Sequence, residues 1–174
     1  VRIAVQRTSG NAPISTLPGE LISVQTDVGS RIESTAAGSH IDVTTSKSVL
    51  IAGTVEVFGA GSTATLWADT NVTILQGGVI AGRDTNNLLT LSAGQVVGLN
   101  PGSAVMAGAR FQEVNGSPVA VQTAAGADAI LNSIGELIIK GTVTTSDQMQ
   151  LNSGTPLFDH SDYFTSLGDL NPQH

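Results

Sequence analysis

The chain has no cysteine, few aromatic residues and few charged ones. Without cysteine, the sequence excludes a disulfide framework, a Cys-ligated zinc site and a thiol nucleophile. Aromatic residues make up only 3% and charged residues only 12% of the 174 residues. A core made from this composition consists of small and branched side chains. Such a core suits narrow stacked sheets better than a β-sandwich, whose core usually holds more aromatic residues.

Basic residues are scarce as well, with 7 Lys and Arg against 14 Asp and Glu and a net charge of −7. This balance argues against nucleic acid as a partner, because binding to phosphates requires clustered Lys and Arg. No stretch approaches 18 consecutive apolar residues, so membrane insertion is not expected. No signal-peptide pattern precedes the opening run VRIAVQR, and we interpret the chain as a processed product or a piece of a longer protein.

The sequence does contain many short segments in which apolar residues occupy every second position. Each alternating pair places two side chains on the same face of a strand. The pairs are Ile22 with Val24, Ile41 with Val43, Val49 with Ile51, Val55 with Val57, Val72 with Ile74, Leu89 with Leu91, and Val119 with Val121. Turn-forming Gly, Asn, Ser and Pro lie between them, and helical periodicity is absent.

Four corners of the sequence share one shape, in which an apolar pair is followed by Gly and then by Val. They are VLIAGTV (49–55), VTILQGGV (72–79), LTLSAGQV (89–96) and IIKGTV (138–143). The first three begin at Val49, Val72 and Leu89, and the segment from Gly53 to Gly141 divides into four steps of similar length. A loose period of about 20 residues is typical of solenoid repeats.

These repeats predict an all-β fold, a parallel β-helix (β-solenoid) of roughly six to seven rungs over residues 1–154, since stacked strands align their inward residues into columns. Corner Gly residues permit a tight bend and a positive φ. An antiparallel sandwich or barrel is the alternative. The repeated corners and the absence of strong two-residue hairpin turns favour the solenoid.

Both ends of the chain differ from its middle. Residues 9–21 contain two prolines and predict an irregular loop that leaves the coil. Residues 155–174 form a nonrepetitive tail with Phe158, Tyr163 and Phe164 close together. Because the open ends of a solenoid need covering, we predict that these aromatic residues form a cap or a docking interface.

Residues that carry chemistry are scattered. Catalysis of glycan cleavage requires paired carboxylates, whereas the aspartates stand singly at Asp27, Asp42, Asp69, Asp84, Asp128 and Asp147. The cluster of Asp159, His160 and Asp162 is more typical of a polar loop than of a metal site. We therefore predict no catalytic, metal or cofactor-binding residue and no cofactor. DVTTS (42–46) and TVTTS (142–146) are expected to form outward Thr rows.

Residues 29–84, with alternating strands followed by I-x-G-T-V or G-G-x-I-x-A-G, resemble the β-helical shaft of filamentous haemagglutinin-like adhesins and related giant bacterial exoproteins. The resemblance covers roughly residues 20–155, and the secretion domain of that group is not recognisable. It implies a right-handed parallel β-helix, located outside the cell or on its surface, with an adhesive or fibrous role and no catalysis.

The predicted function is structural or adhesive, through self-association with other copies or with flanking segments of a longer chain. Outward Thr, Ser and Asn rows are candidates for weak binding to surface glycans. One alternative is a β-helical carbohydrate-active enzyme, which requires a groove with stacked carboxylates, a basic residue and aromatic sugar platforms. The other alternative is a cytoskeletal filament that resembles bactofilins and polymerises without secretion.

Overall fold

The computed structural model describes residues 2–5, 22–114, 117–154 and 164–166. Every regular element within these ranges is a β-strand, and no helix there is long and apolar enough to cross a membrane. In chain order the strands are β1 (Arg2–Val5), β2 (Ile22–Thr26), β3 (Arg31–Ser34), β4 (His40–Thr45), β5 (Ser48–Ile51), β6 (Thr54–Val57), β7 (Thr63–Ala68), β8 (Asn71–Ile74), β9 (Val79–Gly82), β10 (Leu88–Ala93), β11 (Val96–Leu99), β12 (Ala104–Ala107), β13 (Ala109–Val114), β14 (Ser117–Gln122), β15 (Asp128–Ser133), β16 (Glu136–Ile139), β17 (Thr142–Thr145), β18 (Met149–Ser153) and β19 (Phe164–Ser166).

Three parallel sheets form the walls of the molecule, and the predicted parallel β-helix is confirmed. Sheet A contains β1, β4, β7, β10, β15 and β18; sheet B contains β2, β5, β8, β11 and β16; sheet C contains β3, β6, β9, β12, β17 and β19. Each rung contributes one strand to each sheet in turn. The described residues therefore hold five complete rungs and a sixth that includes β18 and β19.

The core consists of columns of inward side chains, one above another along the stack. In sheet A one column holds Val43, Leu66, Leu91, Leu131 and Leu151. All five belong to the buried core. The columns arise because parallel strands in register place equivalent residues opposite each other at every step.

The predicted alternation describes this core well between β4 and β10. The inward pairs there are fully buried: Ile41 with Val43, Val49 with Ile51, Val55 with Val57, Val72 with Ile74, and Leu89 with Leu91. The alternation fails at Val119, whose side chain is 44% exposed, because β14 lies outside the coil.

The predicted alignment of the corners is only partly right. Val49 lies opposite Val72 as expected, but Val72 lies opposite Val97 and not opposite Leu89. Leu89 belongs to sheet A, where it pairs with Ala64. The corner in LTLSAGQV turns from sheet A to sheet B, whereas the other three corners turn from sheet B to sheet C.

Between Gly53 and Gly141 the structure has fewer rungs, each with more residues on average, than the spacing of Gly residues predicted. Thr54 is in register with Val79, which is in register with Ala104, and Ala104 with Thr142. The segment from Gly53 to Gly141 therefore spans three rungs, not four. The extra length comes from an insertion between β12 and β15.

That insertion is an antiparallel hairpin of β13 and β14, in which Val114 lies opposite Ser117. Asn115 and Gly116 lie outside the described residues, but Asn-Gly is the strongest short hairpin signal in a sequence. The statement that strong two-residue hairpin turns are absent was therefore wrong.

The predicted positive φ is present at Gly77, in the corner VTILQGGV, but other corner glycines serve close packing instead. Gly53 and Gly141 are not among the residues with positive φ. A Cβ on Gly53 would overlap the carbonyl oxygen of Ser30, and one on Gly141 would overlap the hydroxyl of Ser103. The preceding rung passes too close for any side chain, which corrects the reason predicted for these glycines.

Residues 9–21, Phe158 and Tyr163 lie outside the described residues. Phe164 begins β19, whose backbone pairs in parallel with β17 and places Phe164 opposite Val143. The cap or docking role of the three aromatic residues stays a prediction.

Candidate functional site

The outer face of sheet A carries three rows of mostly polar side chains, because every second residue of each strand points away from the core. We name the first the Trp67 row: Thr44, Trp67, Ser92, Asn132 and Asn152. The second row holds Asp42, Thr65, Thr90, Ile130 and Gln150. The third row holds His40, Thr63, Leu88 and Asp128.

Hydrogen bonds hold these side chains in order along the stack. Asn152 Nδ2 donates to Asn132 Oδ1, and Asn132 Nδ2 donates to Ser92 Oγ at 3.4 Å. In the third row, His40 Nδ1 lies 2.9 Å from Thr63 Oγ1. Strands ~4.8 Å apart bring such partners within reach of one another. The result is a regular polar surface with fixed positions for donors and acceptors.

Trp67 is the one tryptophan of the chain, and 40% of it is exposed. Its neighbours along the row, Thr44 and Ser92, are small and leave the indole accessible. An indole has a broad apolar face and a polar N–H. The apolar C–H face of a sugar ring can pack on that face, while nearby hydroxyl and amide groups bind the sugar hydroxyls.

The aspartates considered in the sequence do not meet as a catalytic pair. Asp42 and Asp128 lie on the outer face of sheet A in different rows, and Asp128 Oδ1 accepts a hydrogen bond from Gln148 N at 2.9 Å. The others occupy turns: Asp27, Asp69, Asp84 and Asp147. Within the described ranges, no group of three metal-ligating side chains gathers. Asp159, His160 and Asp162 lie outside them.

The two Thr-rich stretches do not form a common row. Residues 42–46 lie mostly in β4 of sheet A, whereas residues 142–146 lie mostly in β17 of sheet C. Thr45, Thr144 and Thr145 are buried. The prediction of outward Thr rows is wrong for Thr45 and Thr145, which lie on the same face of their strands as the buried Val43 and Val143. A shorter threonine row does exist, since Thr65 and Thr90 are in register.

Sheet C carries a charged cluster that the sequence analysis missed. Glu56 is only 4% exposed, and its carboxylate accepts hydrogen bonds from Arg31 Nη2 and Arg83 Nε. Glu33 lies opposite Glu56 in the sheet and forms an ion pair with Arg31 Nε at 2.8 Å. We name these four residues the sheet C cluster. Glu33 and Glu56 are distant in the sequence, and only knowledge of the rung register identifies them as neighbours.

The sheet C cluster brings together stacked carboxylates and basic residues, as the enzyme alternative requires. The Arg31 guanidinium also lies 5.8 Å from the centre of the Phe58 ring. Both carboxylates, however, are bound by arginine, and Glu56 is buried. Acid–base catalysis requires two carboxylates that can reach a substrate, and Glu56 has almost no exposed surface from which to exchange a proton. The geometry suits a set of ion pairs that connects successive rungs, which we call a tie between rungs, better than a catalytic pair.

Comparisons of the chain with protein families, with curated proteins and with solved structures found no match. The outer face of sheet A and the sheet C cluster are therefore the features of the molecule that bear on its function.

Proposed function

We propose that the protein is a non-catalytic β-helical shaft that attaches to glycans through the outer face of sheet A, as an adhesive or structural protein of a cell surface or the extracellular space. The observation that carries the proposal is the Trp67 row, in which an exposed indole lies between hydroxyl groups and beside an ordered amide ladder. The resemblance to haemagglutinin-like shafts supports the same role.

The mechanism follows from the stiffness of the stack. The strands fix the rows, and hydrogen bonds such as that from Asn132 to Ser92 fix side chains before any ligand arrives. Binding to a pre-ordered surface loses less conformational entropy. Each sugar contact on an open face is weak, and attachment gains strength when several contacts form at once.

A fluorescence titration tests the proposal directly, because the emission of the protein comes from one tryptophan. We expect neutral oligosaccharides that bind to shift the Trp67 emission in a saturable way. In a glycan-array experiment, Trp67→Ala should abolish binding. Val28→Ala should not, since Val28 is 83% exposed but lies between β2 of sheet B and β3 of sheet C, away from sheet A. Absence of any saturable ligand, or equal loss in both variants, would refute the proposal.

Self-association is the second part of the proposed function, and the ends of the sheets favour it. Within the described residues, sheet B ends at β16 while sheets A and C continue into β18 and β19. Edge strands present backbone groups that another strand can pair with. Negative-stain electron microscopy across a dilution series should show filaments that persist on dilution. Dispersed short rods would contradict self-association and leave glycan attachment untouched.

The enzyme alternative has one observation in its favour, the stacked Glu33 and Glu56. It predicts new reducing ends when the protein is incubated with the oligosaccharides that it binds, and a loss of that activity in Glu56→Gln. We expect no cleavage product from the unsubstituted protein. Turnover that disappears in Glu56→Gln would replace the non-catalytic proposal.

A further inference from the structure

A cavity of about 520 Å³, widely open to solvent, adjoins the sheet C cluster, and the described residues that line it come from several parts of the chain. They are Phe58, Arg83, Met106, Arg110 and Thr123. The first three belong to three successive rungs, since Phe58 follows β6, Arg83 follows β9 and Met106 lies in β12. Arg110 lies in β13 and Thr123 follows β14, so the hairpin supplies the remaining wall.

The hairpin is an insertion into an otherwise regular coil. Thr63 is in register with Leu88, and Leu88 is in register with Asp128, so the second of these two rungs is much the longer. The two ends of the insertion meet, because Thr123 N donates to Gly108 O at 2.8 Å. Insertions into repeat proteins often form the binding face. Here the insertion converts part of an open sheet into a cavity.

Arginine residues concentrate at this cavity in an acidic protein. Three of the five arginines, Arg31, Arg83 and Arg110, lie in the sheet C cluster or line the cavity, although the net charge is −7. Glu33 and Glu56 balance the charges of Arg31 and Arg83, which leaves Arg110. Arg110 is exposed and forms no ion pair with any side chain that the structure describes, Glu113 not being among them. Its guanidinium is therefore available to an anion.

The side chains that line the cavity are complementary to a small amphipathic anion. Phe58 and Met106 contribute apolar surface, Thr123 contributes a hydroxyl group, and Arg110 contributes a planar fork of donors that matches a carboxylate. The volume falls within the range of ~300–1,000 Å³ that is typical of small-molecule sites. We propose that this cavity binds an acidic sugar residue, a hexuronate, with its carboxylate on Arg110 and its apolar ring face on Phe58. This site is separate from the Trp67 row and does not depend on it.

Calorimetric titration of the full chain with galacturonate tests the proposal, with galactose as the neutral counterpart and sulfate as a free anion. We expect saturable binding of galacturonate and binding of galactose that is weaker by about tenfold or more, as expected for loss of a charge-assisted hydrogen bond. Failure of galacturonate to bind would overturn the proposal. Sulfate that binds as tightly as galacturonate would also overturn it, because the site would then recognise charge alone.

Substitutions separate the local contact from bulk charge. Arg110→Gln should weaken binding of galacturonate by about tenfold or more. Lys140→Gln removes one exposed positive charge at a corner between sheets B and C and should leave binding unchanged. An equal loss in both variants would refute a specific site. Trp67→Ala should retain galacturonate binding, and Arg110→Gln should retain the Trp67 fluorescence response, so failure of one proposal is distinguishable from failure of the other.

Discussion

At the residue scale, Glu56 acts as a tie across three rungs. Its carboxylate accepts from Arg31 on β3 and from Arg83 directly after β9, and it lies on β6 between them. A buried carboxylate is costly unless it is paired and hydrogen-bonded. The two guanidinium groups satisfy that requirement. They also fasten the outer surface of sheet C, in addition to the backbone hydrogen bonds that connect its strands.

Glu56→Gln should therefore lower the free energy of unfolding by about 1–3 kcal/mol, because it removes the charge from two ion pairs at a buried position. Urea unfolding followed by circular dichroism measures this change. Glu33→Gln is the matched control. It removes one ion pair at a more exposed position and should cost less than ~1 kcal/mol. Equal losses in the two variants would contradict the tie.

Gly78→Ala tests the close approach of successive rungs. A Cβ at this corner would overlap the carbonyl oxygen of Ile51, so the substitution should destabilise the fold by about 1–3 kcal/mol. Gly98→Ala is the control, since its Cβ would meet Thr73 Oγ1 at 3.8 Å, an ordinary contact. That variant should stay within ~1 kcal/mol of the unsubstituted protein in the same denaturation experiment. A stable Gly78→Ala protein would show that the rungs can separate at no cost.

At the element scale, the sequence predicts the strands but not the wall to which each belongs. The same local pattern, an apolar pair followed by a bend with a small residue, occurs at the corner from sheet A to sheet B and at the corner from sheet B to sheet C. Leu89 and Val72 therefore have the same local pattern although they lie in different sheets. Local alternation reports which face of a strand is buried, whereas register depends on loop lengths that vary from rung to rung.

The same limit explains why the sequence predicts outward polar rows but not which residues form the two proposed binding surfaces. To place Trp67 beside Thr44 and Ser92, an alignment of the rungs must allow each rung a different number of residues. The rung that leads from Ser92 to Asn132 is much longer than the two before it. A constant period cannot produce this row. The cavity depends in addition on the hairpin, which the sequence analysis did not recognise.

Excision of the hairpin should leave the coil intact. Replacing residues 109–122 by a single Gly joins two points that already lie within hydrogen-bond distance, and shortening a loop changes the closure entropy only slowly with its length. We expect the far-ultraviolet circular dichroism signal of the remaining strands to be unchanged and the unfolding to stay cooperative. Galacturonate binding should be lost. Loss of cooperative unfolding would show that the hairpin is part of the core.

At the scale of the whole molecule, each rung contacts only its neighbours, so stability depends on position along the stack. Leu91 and Leu151 occupy the same column, but Leu91 lies in the fourth rung and Leu151 in the last rung that the structure describes. Leu91→Ala opens a cavity between two rungs and should cost about 2–5 kcal/mol in global stability.

Leu151→Ala should act locally. Hydrogen exchange followed by mass spectrometry should show faster exchange in β18, while amides of β7 and β8 keep their protection. In Leu91→Ala, protection should decrease in all three sheets at once. If Leu151→Ala accelerated exchange equally throughout, the molecule would behave as one cooperative unit and not as a stack.

The two ends of the hairpin insertion meet at Gly108 and Thr123, and this neck has a consequence for protein engineering. A graft at this point leaves the coil after Gly108 and returns at Thr123, two residues joined by a backbone hydrogen bond of 2.8 Å. A foreign peptide or a small domain with adjacent termini can therefore replace the hairpin without spreading the rungs. Because rungs stack at ~4.8 Å, necks installed on chosen rungs would display cargo at set heights. The shaft would then serve as a molecular ruler.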